Sequence, residues 1–357
     1  MKRHTSQDDK QRQGQYFTTN AVTLLDGLEH RVRGATVCEP FAGGGDLVEW
    51  CRNNGAEDVK AFDIAPQNEA TISNDSIHHP RYEGCHMVVT NPPYLSRNKN
   101  KEKQPYEQWG QSDLYKCHLA SLVSSDLDNG ILILPSNFIS ESNSKIRDLF
   151  FSRFKLDLVR YYRYPVFDDA TTGICVIDFS RWVPTASMWV NFETHYRDKI
   201  AKNKYELRKE YGWLPGKTFF EHIYEDNDPL DLKILRQGEG TNIIISLLTN
   251  GKYPMGAHYN EGETIYAPAK TFTTYQVKAD VDITPPQQRE IVDTYNSVLG
   301  IFRSAYEEMF LANYMGAEQK IKSRRYSNRL LSRVIKDTLQ IPVNIGLKGL
   351  FETPVSH

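Results

Sequence analysis

The sequence predicts an α/β protein: an open, mostly parallel sheet with helices on both faces, followed by a second, C-terminal α+β domain. Three observations predict it. Short apolar runs alternate with helical patterns from about residue 19 to Arg181, the rhythm of strands joined by crossover helices. A glycine-rich turn, Gly43-Gly44-Gly45, follows the first of those runs. Beyond Trp182 the runs become shorter and more polar, with turn signals at Leu214-Pro215-Gly216, Asn250-Gly251-Lys252 and Pro285-Pro286.

Each element has its own signal. A helix is predicted from Thr19 to Val32, because Val22, Leu24, Leu25 and Leu28 fall on one side. Ala35 to Cys38 reads as a strand, Leu47 to Cys51 starts a helix, and Val59 to Phe62 reads as a second strand. Met87 to Thr90 is another strand, Leu114 to Leu127 is helical, and the apolar run Gly130 to Leu134 must be buried. Asn143 to Phe154 reads as a helix, and Val159 to Tyr162 with Ile174 to Phe179 as a closing pair of strands. The boundary is placed between residues 183 and 184, giving domains 1–183 and 184–357. In the second, Ile291, Val292, Tyr295, Leu299 and Phe302 recur at helical spacing, so Gln287 to Tyr314 reads as a long helix with an aromatic core stripe.

Composition narrows the class. A chain of 357 residues suits two domains, and it has no apolar run long enough to span a bilayer. The polar start, Met1 to Ser6, is not expected to be a signal peptide. Cys38, Cys51, Cys85, Cys117 and Cys175 are scattered without C-x-x-C spacing. That argues against a disulfide framework or a metal site and fits a reducing cytoplasm in a bacterial, archaeal or viral setting. A net charge of −2 announces no global attraction to nucleic acid. Local runs do: Arg97, Lys99, Lys101 and Lys103 with only Glu102, and then, from Gln319 to Leu350, Lys320, Lys322, Arg324, Arg325, Arg329, Arg333, Lys336 and Lys348 against the single acid Asp337. Such patches make phosphate contacts on a near-neutral protein, or are simply solvated charge.

Asn91-Pro92-Pro93-Tyr94 follows the apolar run Met87-Val88-Val89. A planar amino group has its lone pair delocalised into the ring. It becomes a better nucleophile when two acceptors take its protons, and the Asn91 side-chain carbonyl and Pro92 backbone carbonyl are placed to do so. Pro92 and Pro93 stiffen the turn, and Tyr94 offers a flat face to a base. Alone, the tetrad also reads as a plain turn after a strand. Glu39-Pro40-Phe41-Ala42-Gly43-Gly44-Gly45-Asp46 ends the first strand and opens a helix, and Asp63 ends the next strand, where an acid chelates ribose hydroxyls. No phosphate-loop lysine follows the glycines, and Glu39 would repel a pyrophosphate while suiting a cationic amino group. The combination favours S-adenosylmethionine over NAD or ATP.

These motifs together resemble those of the gamma-class N6-adenine DNA methyltransferases, over roughly residues 13 to 180. The resemblance implies a Rossmann-like class I methyltransferase sheet with a C-terminal target-recognition domain. It implies that Gln15, Tyr16, Phe17 and Thr18 close over the methionine end of S-adenosylmethionine. It further implies cofactor roles for Glu39, Pro40, Phe41, Gly43, Gly45, Asp63, Ile64, Asp75 and Asn91. Asn91, Pro92, Pro93 and Tyr94 would be the catalytic tetrad. Phe167, in Pro165-Val166-Phe167-Asp168-Asp169, would join Tyr94 in packing on a target adenine swung out of duplex DNA. Ser76 departs from the apolar residue usual after that family's cofactor acid, which puts Asp75 in doubt. Arg97, Lys99, Lys322, Arg324, Arg325 and Arg329 are the expected DNA contacts, and the segment Arg97–Lys103 is expected to close on DNA or to order only when DNA binds. The protein is expected to act as a monomer, on its own or beside a separate restriction endonuclease; a fused nuclease is not expected. RNA adenine methylation and glutamine methylation on protein are the rival readings. The front motif, Phe167 and the extra C-terminal domain speak against glutamine, and single-stranded RNA would need no base flipping.

Overall fold

The computed structural model describes residues 18, 20–141, 145–167, 173–247, 253–262, 264–266, 273–306 and 324–344. The chain divides into two compact units, Met1–Phe138 with Asn143–Trp213, and Ile139–Ser142 with Leu214–His357.

The first unit is built on β1 (Thr36–Glu39), β2 (Asp58–Asp63), β3 (Ile72–Ser73), β4 (Met87–Thr90), β5 (Asn129–Pro135), β6 (Phe154–Tyr162), β7 (Ile174–Arg181), β8 (Ser187–His195) and β9 (Ile200–Arg208). They form one nine-stranded sheet in the order β3-β2-β1-β4-β5-β7-β6-β8-β9. The β1–β2, β2–β3, β1–β4, β4–β5 and β6–β8 pairs are parallel, while β7 runs antiparallel between β5 and β6, and β9 antiparallel to β8. Its helices are α1 (Ala21–Leu25), α2 (Asp46–Asn53), α3 (Gln104–Trp109), α4 (Leu114–Val123), α5 (Asn137–Ser140) and α6 (Lys145–Phe151).

Strand alternation explains the two-sided core. Val37, Val59, Ala61, Met87, Val89, Ile131 and Ile133 pack with Leu24, Leu25, Leu47 and Trp50 of α1 and α2 on one face. The residues alternating with them, Cys38, Val88, Leu132 and Leu134, are equally buried, so the opposite face is covered too. This is why the middle strands are apolar without interruption. Gly130 marks a close approach, since a Cβ there would lie 2.5 Å from Val88 O and 2.9 Å from Phe179.

Four expectations change. The helix predicted from Thr19 to Val32 stops at Leu25: Gly27 adopts φ +80 and a short 3-10 turn at Glu29–Arg31 follows. α4 ends at Val123, and α6 ends at Phe151 because β6 already begins at Phe154. The first sheet also continues past residues 183 and 184. β8 alternates buried Met188, Val190 and Phe192 with outward residues and pairs with β6, so β8 and β9 belong to the first unit.

The second unit is α+β. Its four-stranded antiparallel sheet has the order β10 (Lys233–Ile234), β13 (Thr274–Lys278), β11 (Ile243–Ser246), β12 (Gly256–Tyr259). Three helices accompany it: α7 (Lys217–Tyr224), α8 (Pro285–Ala305) and α9 (Arg324–Leu339). α8 starts with a capping box, Thr284 with Gln287, and prolines in its first turn, which fixes its start at the predicted Pro285-Pro286 signal. The predicted continuation to Tyr314 lies outside the described residues.

Candidate active site

Strand order reverses between β1 and β4, which run parallel side by side. In an open α/β sheet the crevice for a ligand forms outside the carboxyl ends of the strands at such a switch point. Glu39 ends β1, and Asn91 follows β4 directly. A cavity of about 580 Å³ opens here. Phe41, Gly43, Asp63, Ile64, Asp75, Asn91 and Pro93 are among its walls, so residues far apart in sequence meet at one cavity.

The glycine turn is held by its own polar groups. Gly43 N–H donates to Asp63 Oδ2 and Ala65 N–H to Asp63 Oδ1, each at 2.8 Å. Ala42 N–H donates to Phe62 O and Gly45 N–H to Ala42 O, also at 2.8 Å. Gly43 and Gly45 take φ +49 and +96, a region side-chain-bearing residues avoid. The Gly43 and Gly45 N–H groups are therefore spent within the turn and are not offered to a phosphate. Each Asp63 oxygen keeps a further lone pair toward the cavity it lines.

Glu39 is 1% exposed and sits just behind this wall. Its Oε1 accepts from Phe41 N–H at 2.9 Å and from the Thr90 hydroxyl, while Oε2 is buried with no hydrogen-bond partner among the described residues. Burial pushes this carboxyl up to about 8, with the Thr90 and Phe41 hydrogen bonds opposing and the negative charge of Asp63 adding to the rise. A buried carboxyl oxygen without a donor, in a carboxyl that feels the charge of Asp63, suits a positively charged ligand group and not an anion.

Asn91 is fixed from both sides. Its Nδ2 donates to Thr18 Oγ1 at 3.1 Å, which sets the amide's orientation. Its Oδ1 faces the Tyr94 hydroxyl, which also lies 2.8 Å from Ile133 O. A phenol has one proton, so these two acceptors compete for it. The Tyr94 ring meets Tyr115 edge-on, at 6.3 Å between centroids, and rests against the same apolar cluster that buries Phe167. Phe167 is 6% exposed, packed as a core residue.

Asp75 lines the cavity, but its carboxylate is largely engaged within its own turn. Oδ1 accepts from the N–H of Ile77 and His78 at 3.1 and 3.2 Å, and Oδ2 lies 2.8 Å from His78 Nδ1. Ser76 is buried beside it, bonded to Asn74 Nδ2. Gln15, Tyr16 and Phe17 lie outside the described residues. Pro40, Gly45 and Pro92 support the turns without lining the cavity.

Several cavity walls were not anticipated: Asn100, Glu102, Pro105 and Leu114. The segment Arg97–Lys103, expected to close on DNA or to order only when DNA binds, is held by hydrogen bonds within the protein. Asn100 Nδ2 donates to Tyr106 Oη at 3.1 Å, Tyr106 Oη to Leu95 O at 2.9 Å, and Lys103 Nζ to Arg97 O. Asn100 and Glu102 were hidden because the basic residues around them dominate the segment's composition. Arg97 pairs with Glu107 at 3.0 Å on the surface, and Lys99 is exposed.

The basic helix α9 is also different from its reading. Arg324 and Arg325 are exposed. Arg329 is half-buried, stacked 4.5 Å from the Tyr224 ring centre with Nη1 3.4 Å from the carbonyls of Ile223 and Asp226. Arg333 pairs with Glu225 at 2.6 Å near the surface, and Lys336 with Asp226 at 2.7 Å in a buried pair. Asn328 accepts from Tyr275 Oη at 2.6 Å. These side chains hold the second unit together, and among the described cations of α9 that were expected to contact DNA, Arg324 and Arg325 are the exposed ones. Lys322 lies outside the described residues.

Residues 47–167 match the family model of the Eco57I restriction-modification methylase. The match takes in Asp63, Asp75, the tetrad at Asn91–Tyr94 and Phe167, and it supports a restriction-modification methyltransferase. No curated protein matches the sequence. Solved structures with similar folds include a modification subunit of a putative type I restriction enzyme from Vibrio vulnificus. It is 14% identical, with a TM-score of 0.42, over 75% of this chain and 60% of that one. A second is from a type I restriction-modification system, 14% identical, TM-score 0.42, over 62% of this chain and 51% of that one. The type IIG restriction endonuclease BpuSI is a third, 14% identical, TM-score 0.39, over 59% and 35%. This chain therefore spans between about a third and three fifths of the length of these structures.

Proposed function

We propose that the protein is an S-adenosylmethionine-dependent methyltransferase that modifies adenine N6 in duplex DNA, within a restriction-modification or phage-type protection system. The observation that carries this reading is the convergence of Asn91 and Asp63 on one cavity at the switch point of the sheet, next to a carboxyl with an unpartnered oxygen. The donor set fits the cofactor. Asp63 has lone pairs for ribose hydroxyls, Ile64 and Ile77 give apolar surface for its adenine, and Glu39 accepts from its ammonium. When bound, S-adenosylmethionine supplies a methyl already activated by a sulfonium charge.

The protein's own work is positioning. Asn91 Oδ1 and the Pro92 carbonyl accept hydrogen bonds from the two N6–H groups and localise the lone pair on nitrogen; one N6 proton leaves to solvent once the methyl has been transferred. The Tyr94 hydroxyl gives up Asn91 Oδ1 at that moment, because Ile133 O stands ready as its other acceptor. The Tyr94 and Phe167 rings hold the flipped base. Gln15, Tyr16, Phe17 and Thr18 close the methionine end, and Thr18 locks the Asn91 amide. In this reading the segment up to about residue 183 with β8 and β9 is catalytic, and the second unit reads DNA as a monomer, apart from any endonuclease. The test is transfer of labelled methyl to unmethylated duplex DNA, with single-stranded RNA in parallel and the product base mapped. N6-methyladenine in DNA supports the proposal; label in RNA or protein alone refutes it.

A further inference from the structure

The carboxyl edge of the sheet carries more than the cavity. β5 is antiparallel to β7 and β7 to β6, so β6 points the same way as β4 and β5, and β8 is parallel to β6. The residues after β6 and the turn between β8 and β9 therefore lie on the rim where Asn91 and Tyr94 lie.

That rim is basic and aromatic. Arg197 stands 5.6 Å from the ring centre of Tyr164, and Lys199 and Arg163 stand 4.7 and 5.9 Å from that of Tyr196. Arg197 and Lys199 are exposed, and Asp198 is the acid between them. Arg163 N–H donates to His195 O at 2.9 Å, tying the end of β6 to the turn. Burial holds the His195 imidazole below its ordinary value. Tyr164 meets Tyr162 edge-on at 5.7 Å and packs on the cluster that holds Tyr94 and Phe167. The patch and Tyr94 are thus anchored on one buried cluster.

We infer that the β8–β9 turn, through Arg197 and Lys199 with Arg163 behind them, grips the phosphate backbone of duplex DNA beside the target base. The inference rests on the proposed nucleic-acid substrate. Cations resting on tyrosine faces are preorganised, so less side-chain freedom is lost when they meet phosphate. Spacing agrees with a contact on the same duplex. β6 and β8 are three and four strands from β4, roughly 14 and 19 Å. At about 3.4 Å per nucleotide along a strand, that is around four to six phosphates from the target.

The test is the salt dependence of binding to a labelled duplex oligonucleotide between 50 and 200 mM salt. Arg197→Gln with Lys199→Gln should make the slope of log K against log salt shallower by about 1.8, two contacts at about 0.9 each. Cofactor binding should be unchanged, and Lys204→Gln, on β9 away from the turn, should keep the parent slope. If the parent binds and methylates DNA but the double variant keeps its slope, this inference fails while the proposed function stands. If the parent binds no duplex DNA, both fail. A slope loss seen only with single-stranded RNA overturns the duplex assignment.

Discussion

Replacing Glu39 with glutamine should stabilise the protein and damage its site at once. The carboxyl's ordinary value is 4.5 and burial raises it to about 8 in the folded chain. Below pH 4.5 both folded and unfolded forms are protonated, and the group contributes its full stability. As pH rises, the unfolded chain releases this proton and the folded one does not, so stability is lost at about 1.4 kcal/mol per pH unit until the folded carboxyl ionises. The loss totals roughly 5 kcal/mol by pH 8. Glutamine mimics the protonated acid without titrating, keeps an oxygen for Phe41 N–H and Thr90, and removes that loss. Urea unfolding of the ligand-free proteins at several pH values measures the difference. Other titrating groups, such as Asp178, raised by burial to about 6, act in both proteins and cancel. Glu39→Gln should match the parent near pH 5 and exceed it increasingly toward pH 8. The same variant should bind S-adenosylmethionine about 10- to 100-fold more weakly, because one charge-assisted hydrogen bond is gone. A stability difference that stays flat from pH 5 to 8 would refute the reasoning.

Three other perturbations test the scaffold and the surface. Gly130→Ala forces a Cβ against Val88 O and should destabilise the first unit by about 1–3 kcal/mol in chemical denaturation, with no gain expected from better strand propensity. Lys336→Met strands Asp226 in a buried position and should cost about 3–5 kcal/mol, while pairing it with Asp226→Leu should restore most of that. Charge reversal at Arg324 and Arg325, both exposed, should weaken DNA binding and flatten its salt dependence, whereas a slope equal to the parent's would remove α9 from the DNA surface.

Much of this was readable because burial leaves a mark on local sequence. The uninterrupted run Ile131 to Leu134 announces a strand covered on both faces, and Asp113, capping α4 by accepting from Tyr115 N–H, marks a helix start. The polar groups that gather at the switch point sit at strand ends, where the alternation of runs and turns locates them. What was not readable depends on partners distant in sequence. Arg333 looks like a solvated cation until Glu225, 108 residues earlier, is brought beside it. β8 has a clear period of two, but its polar outward face made it resemble the second domain, and only pairing with β6 assigns it. Gly27 interrupts a helical pattern that continues on both sides, and its positive φ cannot be inferred from periodicity. Asn100 and Glu102 face the cavity because Tyr106 anchors their loop, a contact invisible in composition.

The most direct test compares the parent with Asn91→Ala at saturating S-adenosylmethionine, measuring methyl transfer to unmethylated duplex DNA and cofactor affinity side by side. The account predicts N6-methyladenine from the parent, at least a ~100-fold slower transfer from the variant, and cofactor affinity nearly unchanged. Near-normal turnover by Asn91→Ala would contradict it.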